Sequence, residues 1–589
     1  MVIAGNYRIA GDGESAWRHA HQALVTKNAA GWPAGYMFMN ETARTAALLG
    51  TSAAAEAFLE ELVRVAEQDH STAEIVDALT TGAEFHRSEG AAEMALNDLR
   101  RATAQIAAVS DPLDRRRLTI DVALMRPAIE RDANTTRDAI VAADTALATL
   151  RNAGSTEKII RALYYRAVAQ QASGDDVAAV ASLREAITEA DAERATIDGD
   201  STRVASVDSL RPIFDLIVEI LLARHQAVDA LRWSDRAKAR VLADALRKRG
   251  ASDDMDDAVS HTAHATPNVT YVQYHVLRDR IAVWTASPRR GVEFQEVHVN
   301  AAELADHVRS LRAAFLVDDE ARARHASMEL YRLLVAPIRT RIATERVTWI
   351  PDQVLVQVPW RTLVDPATGR RLGEDFDFAV APSMTWCRWR AGSVKPESPQ
   401  RIVVVAGGAA PDLPYLPYAD AEARHVAAGF SSAVVLNERA TPDAIRSAAA
   451  TADAFHFAGH AVRDAASRGG AALLIGSASK LTASEISTMD LWHLNVVTLA
   501  ACETSGGRVT SDGALSLARS FLLAGAPTVV SSTLPVDDEL AAAFSKAFYR
   551  AFRRDGASRA LSLATREVCT GHATPTRCWA AFELLGLQS

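Results

Sequence analysis

The sequence predicts an N-terminal array of helical hairpins followed by an α/β region built on a mainly parallel, doubly wound sheet. Residues 15–250 are rich in Ala, Leu, Arg and Glu, and their apolar residues recur at spacings of three and four, which is helical periodicity. From Val347 onward, short apolar strands alternate with helical stretches, among them residues 419–428 and 513–524, which favours parallel strands joined by helices. A length of 589 residues allows two to four domains.

Composition excludes several classes of function. Hydrophobic residues make up 49% and charged residues 23%, as in ordinary globular proteins. The 64 basic and 73 acidic residues leave a net charge of −9, which argues against a dedicated nucleic-acid binder. The sequence shows neither an apolar span long enough for a membrane nor the pattern of a signal peptide. We therefore expect a soluble cytoplasmic protein without a direct nucleic-acid or membrane partner.

The four cysteines are too few for a disulfide framework, which predicts a reducing compartment. They are Cys387, Cys502, Cys569 and Cys578. Cys569 and Cys578, with His572, have a spacing that would suit zinc, but no clear fourth ligand accompanies them. We predict that Cys387, Cys569 and Cys578 are packing residues and that the chain has no metal site.

An internal repeat organises the helical half. Its frame is Leu79, Ala83, Gly90, Ala95, Leu99 and Ala102, and it recurs at Leu163, Ala167, Gly174, Ala179, Leu183 and Ala186. Small residues let paired helices approach closely, and each Gly suits the turn between them. The pattern resembles the tetratricopeptide (TPR) repeat, although its period is longer than the usual value of about 34 residues. The alternative is a plain Ala-rich helical domain; either would form a stacked array, whose concave face commonly binds another protein.

The composition shifts predict four segments. Residues 1–250 form the TPR-like array, and the polar, acidic residues 251–268 form a linker. Residues 269–398 form a smaller α/β part, which opens with the antiparallel strands VTYVQYHVL, DRIAVWTAS and FQEVHVN. Residues 399–589 form the larger, mainly parallel α/β part.

Two reactive residues follow strands of that larger part. The segment AFHFAGH ends in Gly459 and His460, and NVVTLAAC ends in Cys502, one strand–helix–strand unit later. Because such sheets carry their sites at the carboxyl ends of the strands, we expect both side chains at one edge. A thiol and an imidazole there suffice for covalent catalysis, and the amides of Gly459 and Cys502 would hold the oxyanion. The alternative is a buried Cys that closes a strand and a His that caps its loop.

Other candidate motifs predict no cofactor. His456 lies four residues before His460 and shares its strand face, but the HExxH pattern is absent, so we expect a packed or hydrogen-bonded His. Gly407 and Gly408 are adjacent rather than spaced as in GxGxxG, and no GxxxxGK[ST] loop occurs. We therefore predict neither a nucleotide nor a metal.

Several ordered motifs resemble the CHAT domain, a caspase-like peptidase family related to separase. They are LYRLLVAPI, VTWIPDQVLVQVPWRTLVD, LPYADAEA, FHFAGHA, LAACETSGG, FLLAGAPTVVSSTLPVDD and CWAAFELLG. TPR-like repeats ahead of such a domain are the family's common architecture. The resemblance implies that residues 269–398 are a pseudo-caspase-like part and residues 399–589 the caspase-like catalytic part. Leu534 stands where the family usually has Trp, which puts the specificity in doubt.

The resemblance also implies roles for individual residues. His460 would be the general base and acid, Cys502 the nucleophile, and Gly459 a backbone oxyanion donor. Asp537 and Asp538 resemble the acidic loop residue that reads a basic P1 side chain in separase-like relatives. The alternative for these two is an N-cap of the helix that follows, a position that Asp suits well.

The function implied is that of a regulated cysteine endopeptidase. Its partners would be a protein substrate, such as a gasdermin-like or other effector protein, and an activator that docks on the helical repeats. The setting would be bacterial defence or programmed cell death, and the reaction would need no cofactor. The alternative is a non-catalytic caspase-like scaffold or adaptor.

Overall fold

The computed structural model shows two compact units, residues 1–224 and residues 225–589. The structure describes residues 4–5, 8, 13–29, 35–49, 51–132, 136–153, 156–196, 210–238, 240–247, 268–391, 399–407, 413–437, 440–464, 470–475, 479–501, 504, 508–510 and 513–588. In this part of the chain, no helix combines the length and the apolar character needed to cross a bilayer.

Within the described residues, the first unit is built from helices, as the sequence predicts. The Leu and Ala residues of the repeat frame are buried. Its exposed glycines, Gly90 and Gly174, have φ values of 79° and 86°, a left-handed conformation that favours glycine. The helices are α1 (Gly13–Ala29), α2 (Tyr36–Leu48), α3 (Ser52–Gln68), α4 (Thr72–Ser88), α5 (Ala92–Gln105), α6 (Pro112–Asp132), α7 (Thr136–Ala153), α8 (Thr156–Ala172), α9 (Asp176–Thr196) and α10 (Arg211–Ala223).

The second unit begins at His225 and includes two helices, α11 (Ala227–Arg236) and α12 (Arg240–Arg247), that we had placed in the helical array. Buried polar contacts attach α11 to the α/β region. The carboxylate of Asp235 accepts hydrogen bonds from the amides of Met384 (2.6 Å) and Thr385 (3.0 Å). Residues 248–267, which contain most of the predicted linker, lie outside the described residues.

One large sheet crosses the whole α/β region. Within the described residues its strand order is β3-β2-β1-β4-β5-β16-β15-β12-β8-β6-β7. The strands are β1 (Val269–Val276), β2 (Arg280–Ser287), β3 (Gly291–His298), β4 (Arg346–Ile350), β5 (Asp377–Val380), β6 (Arg401–Ala406), β7 (Ser432–Leu436), β8 (Ala454–Ala458), β9 (Ala461–Asp464), β10 (Gly470–Leu474), β11 (Lys480–Thr482), β12 (Val496–Ala500), β13 (Arg508–Thr510), β14 (Gly513–Leu515), β15 (Thr528–Ser532) and β16 (Phe582–Gly586).

The predicted meander is confirmed, because β1, β2 and β3 pair antiparallel in succession. The two predicted α/β parts share the sheet. Strand β16 runs antiparallel to β15 and parallel to β5, and so joins the larger part to the smaller one. Strands β9, β10 and β11 form a separate small sheet, and β13 and β14 form a hairpin.

Helices pack on the sheet, and apolar residues of both helices and strands form the hydrophobic cores. In the smaller part, Trp349 stacks on Trp360 with ring centroids 4.7 Å apart, and Tyr274 stacks on Trp360 at 5.1 Å. The helices of this unit after α12 are α13 (Ala301–Leu316), α14 (Glu320–Leu334), α15 (Leu372–Asp375), α16 (Met384–Ala391), α17 (Ala419–Ala428), α18 (Pro442–Ala449), α19 (Ala483–Ser487), α20 (Leu517–Leu523), α21 (Asp538–Cys569) and α22 (Pro575–Ala580). Helix α21 bends at Gly556, whose φ is 75°.

Candidate active site

The strands that precede the two predicted catalytic residues are neighbours. Strand β8 pairs in parallel with β12, with Ala458 opposite Ala500. Gly459 and His460 therefore leave the sheet at the same edge as Ala501. Cys502 and Glu503 lie outside the described residues.

The imidazole of His460 is held by a backbone carbonyl. Its Nε2 atom lies 2.9 Å from the carbonyl oxygen of Pro414, in the segment that leads into α17. Because a carbonyl oxygen only accepts hydrogen bonds, Nε2 must carry the proton in this contact. In the neutral ring the lone pair then resides on Nδ1, which is the atom left to accept a proton.

Gly459 makes close backbone contacts with the strand ends on either side of it. Its amide donates a hydrogen bond to the Ala500 carbonyl oxygen (3.2 Å), so the group that we expected to face an oxyanion is engaged between β8 and β12. A Cβ atom at this position would lie 2.7 Å from the Cα atom of Gly407, at the end of β6. The glycine therefore permits a close approach of two strand ends.

The amide after His460 is placed differently. Ala461 lies opposite Leu473 in the antiparallel pair of β9 and β10, and the Leu474 amide donates to the His460 carbonyl oxygen (2.9 Å). That bond makes Ala461 and Leu473 a non-hydrogen-bonded pair, whose amides point away from the partner strand. The ladder between β9 and β10 therefore does not use the N–H of Ala461.

Ser532 holds the chain on both sides of Cys502. Its hydroxyl donates to the Ala501 carbonyl oxygen and accepts from the Thr504 amide (3.2 Å). The Thr504 hydroxyl in turn accepts from the Ser532 amide at 2.9 Å. All three residues are buried. The end of β15 thereby holds Ala501 and Thr504, the described residues on either side of the predicted nucleophile.

His456 is a buried residue with polar neighbours, as predicted. Its Nε2 atom lies 3.1 Å from Oε1 of Glu422 on α17, an ion-pair distance without hydrogen-bond alignment. Its Nδ1 atom is 3.4 Å from the Tyr549 hydroxyl, which donates to Thr498 at 3.0 Å. Among the described residues, no group of three or more His, Cys, Asp and Glu side chains is arranged to hold a metal ion.

The two acids after β15 both have structural partners. Asp537 is the N-cap of α21 and accepts from the amides of Glu539 (3.0 Å) and Leu540 (3.4 Å), which confirms the capping alternative for this residue. Asp538 accepts from the Tyr418 amide at 2.7 Å. Burial raises the pKa of the Asp538 carboxyl, the Tyr418 amide opposes the rise, and a protonated His460 would also lower it. Their role in a P1 pocket stays a prediction.

The prediction of packing cysteines is wrong for two of the three. Cys569 and Cys578 form a disulfide, with Cα atoms 5.7 Å apart, between the end of α21 and α22. The chain reverses direction between these helices, and this turn brings together two residues that seemed merely apolar in sequence. Cys387 is a buried free thiol, as predicted, and burial raises its pKa.

Pro414 and Ser532 are site residues that sequence reasoning missed. Pro414 acts through its carbonyl oxygen, which every residue has, so no residue type could have revealed it. Ser532 lies in the stretch PTVVSST, whose polar end could have signalled a role at the carboxyl end of a strand.

The second unit has a mainly parallel α/β fold of the caspase-like kind. Residues 324–587 match the family model of the CHAT domain, so the second unit contains a CHAT domain. Together with the helical first unit, this confirms the arrangement of TPR-like repeats ahead of a CHAT domain.

Curated relatives match over a short stretch. Tetratricopeptide repeat protein 28 is 35% identical in Homo sapiens and 34% identical in Mus musculus over 108 residues, which is 18% of this chain. The chain aligns with 4% of the length of each of these relatives.

Solved structures show distant likeness. A chain of the Saccharomyces cerevisiae separase–securin complex is 10% identical, with a TM-score of 0.47 over 99% of this chain and 52% of that one. The complex of Porphyromonas gingivalis RgpB pro- and mature domains gives 9% identity and a TM-score of 0.32, over 48% of this chain and 75% of that one.

Proposed function

We propose that the protein is a cysteine endopeptidase that cleaves a protein substrate with a dyad of Cys502 and His460. The observation that carries this proposal is the pairing of β8 with β12, because it directs His460 and the segment leading to Cys502 to one edge of the sheet. The hydrogen bond from His460 to the Pro414 carbonyl adds the orientation that a general base needs.

The contacts of His460 support a defined sequence of proton transfers. Nδ1 accepts the proton of the Cys502 thiol, and the sulfur attacks the scissile carbonyl carbon. The Pro414 carbonyl stabilises the imidazolium through the Nε2 hydrogen bond. The imidazolium gives its proton to the departing amine, which leaves a thioester on Cys502. His460 then takes a proton from water, whose oxygen attacks the thioester and releases the acid and the free thiol.

The oxyanion formed during the attack needs backbone donors at the same edge. The β9–β10 ladder does not use the N–H of Ala461, which follows His460 directly, whereas the N–H of Gly459 is engaged with Ala500. We therefore assign this role to the Ala461 amide together with that of Cys502.

A thiol-directed peptidyl probe tests the dyad sharply, because the other cysteines are poor targets. Cys387 is buried with a raised pKa, and Cys569 is paired with Cys578. We expect one label per chain, at Cys502, and its loss in His460→Ala. Labelling that ignores His460 indicates a reactive thiol without a dyad, and favours the non-catalytic scaffold or adaptor. Cleavage that survives Cys502→Ala would end the proposal.

We also propose that the loop after β15 helps to select the residue before the cleaved bond. Asp538 accepts a hydrogen bond from the Tyr418 amide, and a protonated His460 would lower the pKa of its carboxyl, which supports a location near that imidazole. Peptides with Arg, Lys or Ala at P1 test this with Asp538→Asn, and Asp537→Asn serves as the capping control. An unchanged preference in Asp538→Asn would leave Asp538 a structural tie to Tyr418.

The helical first unit offers a means of regulation. The first unit is a separate compact unit of stacked helical hairpins, which suits the binding of an activator protein. We propose that such an activator controls cleavage of an effector protein, gasdermin-like or other, in the cytoplasm of a bacterium during defence or programmed death. Probe labelling with and without a candidate activator measures this directly. Equal labelling rates would remove the activator from the scheme.

A further inference from the structure

A cavity of about 350 Å³ opens beside His460. It lies beyond the carboxyl ends of β6 and β7 and against α17, and residues 414–416 form part of its wall. This volume falls in the lower part of the range of about 300–1,000 Å³ that is usual for ligand pockets. Nothing in the dyad mechanism uses this space, although His460 is one of its lining residues.

The position of the cavity along the sheet edge defines which part of a substrate would reach it. The strand order is β12, β8, β6, β7: Cys502 follows β12, His460 follows β8, and the cavity lies at β6 and β7. The acyl half of the substrate becomes attached to Cys502. The amine half departs at His460, because the imidazolium protonates it. The polypeptide that follows the cleaved bond therefore starts at His460, next to the cavity.

The lining of the cavity defines the chemistry that it would accept. Apolar residues outnumber polar ones among those that line the cavity, although polar atoms contribute much of its surface. Two large apolar side chains stand exposed there, Tyr415 (77% exposed) and Val435 (47% exposed). The charged members, Asp420 and Arg424, lie one turn apart on α17 and have opposite signs. Their charges offset each other at any site between them, so the wall offers apolar contact without a net charge.

We propose that this cavity binds a side chain from the substrate segment that follows the cleaved bond, and that it selects a large apolar side chain there. The inference rests on the proposed peptidase function and extends it, because it assigns specificity to the leaving-group side of the site. Val435 and Tyr415 are its specificity-determining residues, through the apolar area that they bring to the mouth.

The strand β7 offers a matched pair of variants. Val434 and Val435 are adjacent and equally exposed, at 45% and 47%, but successive side chains of a strand face opposite sides. Val435 lines the cavity, so Val435→Glu places a charge at its mouth, whereas Val434→Glu places the same charge on the other face of the strand. Both changes alter the same exposed edge strand, so a general effect on folding would appear in both.

The measurement is cleavage of a peptide library that varies the two residues after the scissile bond. We expect the parent protein to prefer Phe, Leu or Trp over Asp by about tenfold in kcat/KM at one of these positions. Val435→Glu should abolish that preference, and Val434→Glu should keep it. A parent protein without the preference, or two variants with equal profiles, would overturn the inference.

Binding provides a second measurement that needs no turnover. Fluorescence anisotropy of the same peptides with full-length Cys502→Ala protein should show about tenfold weaker binding once Val435→Glu is added. Unselective binding, or no binding, would contradict the proposed selection of an apolar side chain by the cavity. The two proposals fail separately, because the thiol-directed probe has no residue beyond its reactive carbon. Labelling of Cys502 without peptide selectivity would contradict only the proposed role of the cavity. Absent labelling would contradict the proposed peptidase function.

Discussion

The backbones of Gly407 and Gly459 approach so closely that neither position has room for a side chain. A Cβ on Gly459 would lie 2.7 Å from the Cα of Gly407, and a Cβ on Gly407 would lie 2.8 Å from the Cα of Gly459. The Gly407 amide also donates to the Ala458 carbonyl oxygen. This contact joins the ends of β6 and β8 directly beneath His460.

Gly459→Ala should therefore destabilise the second unit. Overpacking against backbone costs about 1–3 kcal/mol, because neither strand end has a flexible group that can give way. Urea unfolding measures the loss. Gly35→Ala is the control, since the atom nearest to its new Cβ is Nζ of Lys27, at 3.8 Å. Equal stabilities for the two variants would mean that the strand ends separate easily.

If the protein is the proposed peptidase, Ser532→Ala should lower its turnover more than its substrate affinity. The variant loses the hydroxyl that holds Ala501 and Thr504 on either side of Cys502. We expect kcat to fall about tenfold or more with little change in KM, because a misplaced nucleophile weakens chemistry rather than binding. Thr504→Ser keeps the hydroxyl and serves as the control. A Ser532→Ala protein with unaltered kcat would remove Ser532 from the positioning role.

The buried pair of Glu422 and His456 should show strong coupling. Each side chain is almost fully buried, and removal of one partner leaves the other in an apolar interior. We expect Glu422→Leu and His456→Leu each to cost about 3–5 kcal/mol, and the double variant to cost much less than their sum. A double-mutant cycle in urea gives the coupling free energy. Strictly additive losses would show that the two groups do not interact.

Glu583 on β16 should make stability depend on pH. Burial raises the pKa of its carboxyl from the ordinary 4.5 to about 8, against the opposing charge of Arg361. Between these values the folded protein keeps a proton that the unfolded chain releases, so this contribution is full below pH 4.5 and lost as pH rises through 8. We expect Glu583→Gln to gain Tm relative to the parent between pH 5 and pH 8.5. A constant difference would place the carboxyl in an ordinary environment.

The disulfide should stabilise the end of the second unit under oxidising conditions. Cys569 and Cys578 are nine residues apart, and closing a loop of that size contributes about 2–3 kcal/mol. We expect Cys569→Ser with Cys578→Ser to lower Tm in oxidising buffer, and dithiothreitol to lower the Tm of the parent alone. Mass spectrometry without reduction checks the link. Two free thiols in air-oxidised protein would contradict the pairing.

Sequence reasoning succeeded where one local pattern decides the structure. The predicted helix at 419–428 is observed as α17, and the repeat frame places its small residues in the core. It failed for the segment that begins at Gly513, predicted as helix, where residues 513–515 form β14. Ser516 caps the helix that follows by accepting from the Arg519 amide, so the helix begins later than its apolar residues suggested.

The candidate site was predictable in part. The parallel order of β8 and β12 followed from alternating strands and helices, and so did the common edge at which His460 and Ala501 leave the sheet. The partners of these residues did not follow. Glu422 and His456 each belong to a motif, but their contact depends on how α17 packs over β8, which no local spacing expresses. Strand β7 was missed because its exposed residues show no alternation.

The position of β16 between β15 and β5 has a consequence for folding during synthesis on the ribosome. Leu585 pairs with Val380, more than two hundred residues earlier in the chain. The two parts of the sheet therefore remain unjoined until synthesis has passed Gly586, whereas the helical hairpins of the first unit make local contacts and close early. A peptidase built in this order would complete the sheet beneath its reactive edge late, after the unit proposed to receive its activator has formed.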